Sequence, residues 1–177
     1  MYSSNYGEFT ILQRKIEVKA NDLEAVTYDG RIYNDYSDDN YSLIERDDLS
    51  SFVQGDNILV SAKFYLSSDK TNVQDNPKYA NDYYIFLDSF TFGNESMDGN
   101  YDIRILDEAK DAAKFTINKR DVTIKAIDVS SSIYNGKIQD NYDPTSFTYD
   151  ENSLALVTGD LVSISYDYFD EEIELAY

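Results

Sequence analysis

Two stretches of this chain crowd hard oxygen donors within a few residues of one another: Asp35, Asp38, Asp39 and Asn40 in the first, and Asp140, Asn141 and Asp143 in the second. Carboxylate and amide oxygens at that density suit Ca2+, which takes about six to eight of them. The spacing follows no EF-hand loop, because neither a central glycine nor a distal bidentate glutamate falls at the required offset. A solvated acidic loop is the competing reading. The only metal expectation is therefore Ca2+ at Asp35, Asp38, Asp39, Asp140 and Asp143. The acidic run Asp167, Asp170, Glu171, Glu172 and Glu174 reads as an exposed charged face.

Other chemistries find less support. The chain has no cysteine and no histidine, so it offers no thiol nucleophile, no disulfide framework, no Ser/His/Asp set and no zinc site of the usual kind. Glycoside cleavage needs two carboxyl groups held at a defined separation in a cleft, and nothing singles out one pair among so many. The expectation is no enzyme activity and no cofactor beyond calcium. A Lys–Asn cross-link is disfavoured, since Lys19 and Lys125 fall on the outward parity of their segments. With 34 acidic against 15 basic residues, a net charge of −19 argues against nucleic acid, whose phosphates need a basic face.

The elements that must position these residues repeat. Residues 9–20, FTILQRKIEVKA, return 106 positions later as residues 115–126, FTINKRDVTIKA. The same offset carries Asp22 onto Asp128, Tyr28 onto Tyr134, Gly30 onto Gly136, Ile32 onto Ile138 and Tyr36 onto Tyr142 without a gap. Further on, Val53, Gly55 and Asp56 return as Val157, Gly159 and Asp160 at an offset of 104, so the second copy is two residues shorter in between. Such recurrence sets the architecture before any other inference. A period near 100 residues is the size of an immunoglobulin-like sandwich.

The local patterns are those of strands. Ile16, Val18 and Ala20 alternate with Glu17 and Lys19, as Val122, Ile124 and Ala126 do with Thr123 and Lys125. Asp29-Gly30 and Asn135-Gly136 supply tight turns, and Asp22 and Asp128 are expected to cap turns. Ile58, Val60, Ala62, Phe64 and Leu66 make a longer alternating face, and Tyr84, Phe86, Phe90 and Phe92 share a second parity interrupted by Asp88. Residues 67–82 read as a polar surface loop, and 106–114 as a short segment divided between helix and loop.

The predicted fold is all-β, with tandem Ig-like β-sandwich repeats of antiparallel strands. Residues 1–13 form a closing strand of a preceding repeat or an N-terminal extension, 14–118 one complete repeat, and 119–177 a second, incomplete one. The ends read as cut from a longer array, with almost no linker at 118–120. Polymerisation by strand donation is opposed by the count, since residues 1–13 supply about one strand where the partial unit wants about three. No apolar run reaches the ~18 residues of a membrane helix, and residues 1–10 lack a signal-peptide pattern.

In the order of these motifs the chain resembles the MBG and YDG class of immunoglobulin-like repeats of bacterial surface adhesins. The resemblance rests on the opening strand (Arg120 to Ala126), the Asp after it, the Tyr-Asp/Asn-Gly turn, Gly-Asp before a long strand, and Asn-Tyr followed by Phe-Thr-Ile at the close. It spans nearly the whole chain; the full unit departs from it in being longer and more acidic. It implies a non-catalytic, extracellular, cell-surface stalk module that projects an adhesive region. Its partners would be neighbouring repeats of the same protein. The alternative is direct recognition of a host glycan or surface protein through exposed tyrosines such as Tyr33, Tyr36, Tyr65, Tyr79 and Tyr83, whose rings stack on sugars and give rigid contact area.

Overall fold

The computed structural model describes residues 7–37, 40–94, 97, 99–128, 133, 135–136 and 147–165. The chain is all-β and divides into two compact units, residues 1–119 and 120–177. No helix among the described residues is long and apolar enough to cross a membrane.

In the first unit, β1 (Arg14–Ala20), β2 (Val26–Thr27), β3 (Tyr41–Leu43), β4 (Ile58–Tyr65), β5 (Val73–Gln74), β6 (Asn81–Phe92), β7 (Tyr101–Ile105) and β8 (Ala113–Asn118) build two sheets. The smaller has the order β3-β1-β7 and the larger β2-β8-β6-β4-β5. Both feed one core: Ile16, Val18 and Ala20 from β1 join Ile58, Val60 and Phe64 of β4, Tyr83, Ile85 and Leu87 of β6, and Phe115 and Ile117 of β8. This is a sandwich-like arrangement in which every second residue of a strand faces inward.

Two pairings correct the antiparallel expectation. β1 runs parallel to β7, Arg14 against Tyr101 through Val18 against Ile105, and β2 runs parallel to β8. Parallel neighbours need a long crossover connection. The strands lying between each pair in sequence supply it.

A bulge corrects the reading of β6. The β4–β6 register slips between Ser61 and Ala62, so that Ser61 faces Ser89 while Ala62 faces Leu87. Asp88 is the extra residue, and the inward parity switches there. Before it Tyr83, Ile85 and Leu87 point into the core; after it Phe90 and Phe92, opposite the buried Val60 and Ile58, do so. Tyr84 and Phe86 therefore lie on the opposite face from Phe90 and Phe92. Phe86 is still buried, with Tyr65 edge-on at 5.7 Å and the Lys70 ammonium 4.8 Å from its ring centre. Asp88 itself holds Lys63 at 2.8 Å.

Residues 106–114 give only a 3-10 turn at Ala109–Asp111 before β8 begins at Ala113. The segment is too short to nucleate an α-helix, and Ala113 is taken into the ladder opposite Ile85. Residues 7–13 form no strand. Phe9 and Ile11 are 87% and 80% exposed, whereas their equivalents Phe115 and Ile117 in β8 are 3% and 1% exposed. The difference is one of neighbours, because β8 lies between β2 and β6.

In the second unit, β9 (Ile124–Ala126) pairs with β10 (Phe147–Tyr149). The pairs are Ala126 with Phe147, Lys125 with Thr148 and Ile124 with Tyr149. Moved back 106 positions, they become Ala20 with Tyr41, Lys19 with Ser42 and Val18 with Leu43, which are the β1–β3 pairs. The next rung also matches: Ile44 N donates to Glu17 O at 2.9 Å, and Asp150 N to Thr123 O at 3.0 Å. Gly30 and Gly136 both take positive φ, 79° and 73°, as do Gly55 and Gly159 at 94° and 97°. The Asp56 N to Val53 O bond returns as Asp160 N to Val157 O, each 2.9 Å. Arg14 Nε donates to Ser51 O at 3.1 Å and Arg120 Nε to Ala155 O at 2.7 Å.

Candidate functional site

Of the residues expected to bind calcium, Asp38, Asp39, Asp140 and Asp143 lie outside the described residues. Asp35 is exposed and lines a cleft of about 340 Å³ beside the edge strand β2, over a floor that includes Leu23, Val26, Tyr33 and Phe115. No group of three or more acidic side chains placed to hold a metal occurs among the described residues.

The charge beside that cleft is largely used internally. In the turn at Gly30, Asp29 Oδ1 accepts the Arg31 backbone N–H at 2.9 Å and Oδ2 accepts Arg31 Nε at 2.5 Å. The Arg31 backbone bond, reinforced by the guanidinium, holds the Asp29 carboxyl below its ordinary range. The same guanidinium sits 5.6 Å from the centre of the Tyr33 ring. Tyr33 is half-buried on Phe115, 5.5 Å between centres, and its N–H donates to Pro77 O at 2.8 Å. A ring so engaged is a wall of the fold before it is a platform for a sugar.

The other named tyrosines divide the same way. Tyr36 bridges two strands' ends: its hydroxyl accepts from Asn21 N at 2.8 Å and lies against Asn21 O and Asn40 O. Burial pushes it up to about 12, opposed by the Asn21 bond. Tyr83 is buried and donates to Tyr79 O at 2.6 Å, and Tyr65 packs on Phe86. Tyr79 is 70% exposed and so, of the five, is the one fully presented to solvent.

The polar stretch 67–82 is tied down rather than open. Asp69 Oδ1 accepts from Ser67 Oγ at 2.5 Å, Thr71 N at 3.0 Å and Thr71 Oγ1 at 2.7 Å, and these bonds, Ser67 first, lower it to about 2. Lys70 and Asn72 take positive φ, 62° and 58°. Lys70 pairs with Asp107, β5 adds to β4, and Pro77 is fully buried. Asp22 is also more than a local cap, since its Oδ1 accepts Lys114 N at 2.8 Å and so binds the chain after β1 to β8.

Two polar clusters were not singled out from the sequence. Glu17, 7% exposed on the outer face of β1, meets Arg46 Nη2 at 3.0 Å and Arg104 Nη1 at 3.3 Å. Its place in an alternating strand marks it as outward-facing; only the fold brings the two arginines over it. The Tyr101 hydroxyl donates to Asp56 Oδ2 at 2.5 Å and accepts Val53 N at 3.0 Å, clamping the Gly55 turn. The recurrence of Gly-Asp was the available signal. In the second unit Lys125 meets Asp150 at 2.6 Å, chiefly through a side-chain bond that lowers the Asp150 carboxyl. Every one of these groups is engaged in holding strands or turns.

Against known proteins, no family model matches the chain, and neither a curated protein nor a solved structure is significantly similar to it.

Proposed function

We propose that this chain is a non-catalytic section of a bacterial surface adhesin of the MBG/YDG type, a run of Ig-like modules that holds an adhesive region away from the cell. The observation that carries the reading is the recurrence of the β1–β3 register in β9–β10 at a fixed offset of 106 residues. A ladder, its following rung, two glycine turns and an arginine anchor repeated together support the reading of one module used twice. On this reading residues 14–118 are one module and 119–177 belong to a second, while residues 1–13 repeat the sequence of the module's closing part. The strong negative charge keeps neighbouring stalks apart and in solution. Calcium, if bound, stiffens the acidic loop that contains Asp35.

The test has two arms. Antibody raised against this chain is applied to intact cells of the source organism, and the chain itself is applied to a glycan array with and without Ca2+. Surface labelling with no glycan signal is the expected result. Labelling only after lysis would refute the surface assignment. A glycan signal abolished by Tyr79→Ala would instead favour direct recognition.

A further inference from the structure

The equivalent turns of the two units differ in one chemically important residue: Asp29-Gly30 in the first is Asn135-Gly136 in the second. We infer that Asn135 is a self-modification site, deamidating in the folded protein to an aspartate that the turn accommodates.

Three observations converge. Asn135 and Gly136 are both exposed, so water and hydroxide reach the reacting atoms. Gly136 has φ +73°, and among the described residues a Cβ built on it would meet nothing within 4 Å, so no described group crowds that side of the glycine. The product is already present at the equivalent position, where Asp29, next to a glycine at φ +79°, accepts the Arg31 N–H at 2.9 Å.

The chemistry balances with solvent alone. The Gly136 backbone nitrogen, its proton passing to hydroxide, bonds to Cγ of Asn135; the bond from Cγ to the amide nitrogen breaks, and ammonia leaves. The resulting five-membered succinimide is opened by water at one of its two carbonyls. One opening gives aspartate and the other isoaspartate, and each adds one negative charge. Glycine makes the attack easy because no side chain shields its nitrogen. The exposed Asn94 and Asn100 precede Glu95 and Tyr101, whose side chains hinder the same step.

The test is incubation of the full chain at mildly alkaline and mildly acidic pH, followed by peptide mapping with isoaspartate detection. Asn135 is expected to convert severalfold faster than Asn94 or Asn100, faster at the higher pH, while the Asn135→Asp variant melts at the wild-type temperature. Conversion of Asn135 only after denaturation, or no faster than Asn100, would overturn the proposal. A lowered melting temperature for Asn135→Asp would overturn the claim that the turn accepts the product.

Discussion

The opening strands of the two units carry one pattern and have different fates. In β1, Ile16, Val18 and Ala20 are buried; their equivalents Val122 and Ile124 are only half-buried, and Ala126 is exposed. Yet the ladder to the next strand is the same in both, pair for pair. Register thus goes with the alternation that both opening strands share. Burial is not local: Val18 reaches 0% exposure because β4, β6 and β8 of the other sheet close over it. The outer faces differ too. The first unit sets an anion, Glu17, on its opening strand against two arginines, whereas the second sets a cation, Lys125, against Asp150.

The largest expected effect contrasts Phe115 with its twin Phe9. Phe115→Ala removes a ring packed on Tyr33, Phe64 and Tyr83, and chemical denaturation should show the first unit losing about 3–5 kcal/mol. Phe9→Ala, at an exposed position, should change it by less than about 0.5 kcal/mol. Equal losses at the two positions would mean that residues 7–13 are packed after all.

Next in size is Glu17→Ala, which leaves Arg46 and Arg104 without their shared partner and is expected to lower stability by about 1–2 kcal/mol. Tyr36→Phe, which strips the hydroxyl bridge between Asn21 and Asn40, should cost about 1 kcal/mol. The pH dependence supplies its signature. Because burial pushes the folded Tyr36 hydroxyl up to about 12, its contribution is full below the unfolded value and is lost as pH rises through the folded one. Alkaline melts of wild type and Tyr36→Phe should therefore converge over that window.

Smaller still are the arginine anchors. Arg14→Ala and Arg120→Ala each delete one bond to a loop carbonyl, and each should cost about 0.5–1 kcal/mol in its own unit. A marked loss from one and none from the other would break the equivalence. The least is expected of Asp69→Asn. With the folded carboxyl lowered to about 2 from 3.8, its stabilisation is present above the unfolded value and lost as pH falls through the folded one. Melts of the two proteins should merge on acidification.

Much of this was legible in the residues themselves. The repeat shows in the sequence itself, and the alternation of β1 and β4 and the turns at Gly30 and Gly136 follow from patterns within a few positions. What was not legible depends on partners distant in sequence. The parallel course of β1 beside β7 has no local mark. Asp88 reads as an interruption of a stripe, and its role as a bulge that reverses the inward parity of β6 appears only against β4. The tyrosines read as candidate binding groups because exposure cannot be told from sequence, and Tyr33, Tyr36 and Tyr83 are held in by Phe115, Asn21 and Tyr79. Asp22 reads as a turn cap, and its bond from Lys114 N, across the unit, has no local mark.

The central claim is that one module's strand pairing is used twice, and cross-strand NOEs in the full chain test it most directly. Contacts should link Ala126 to Phe147, Lys125 to Thr148 and Ile124 to Tyr149 in the register that links Ala20 to Tyr41, Lys19 to Ser42 and Val18 to Leu43. Pairing of residues 124–126 with any other segment, or in a register shifted by one residue, would contradict it.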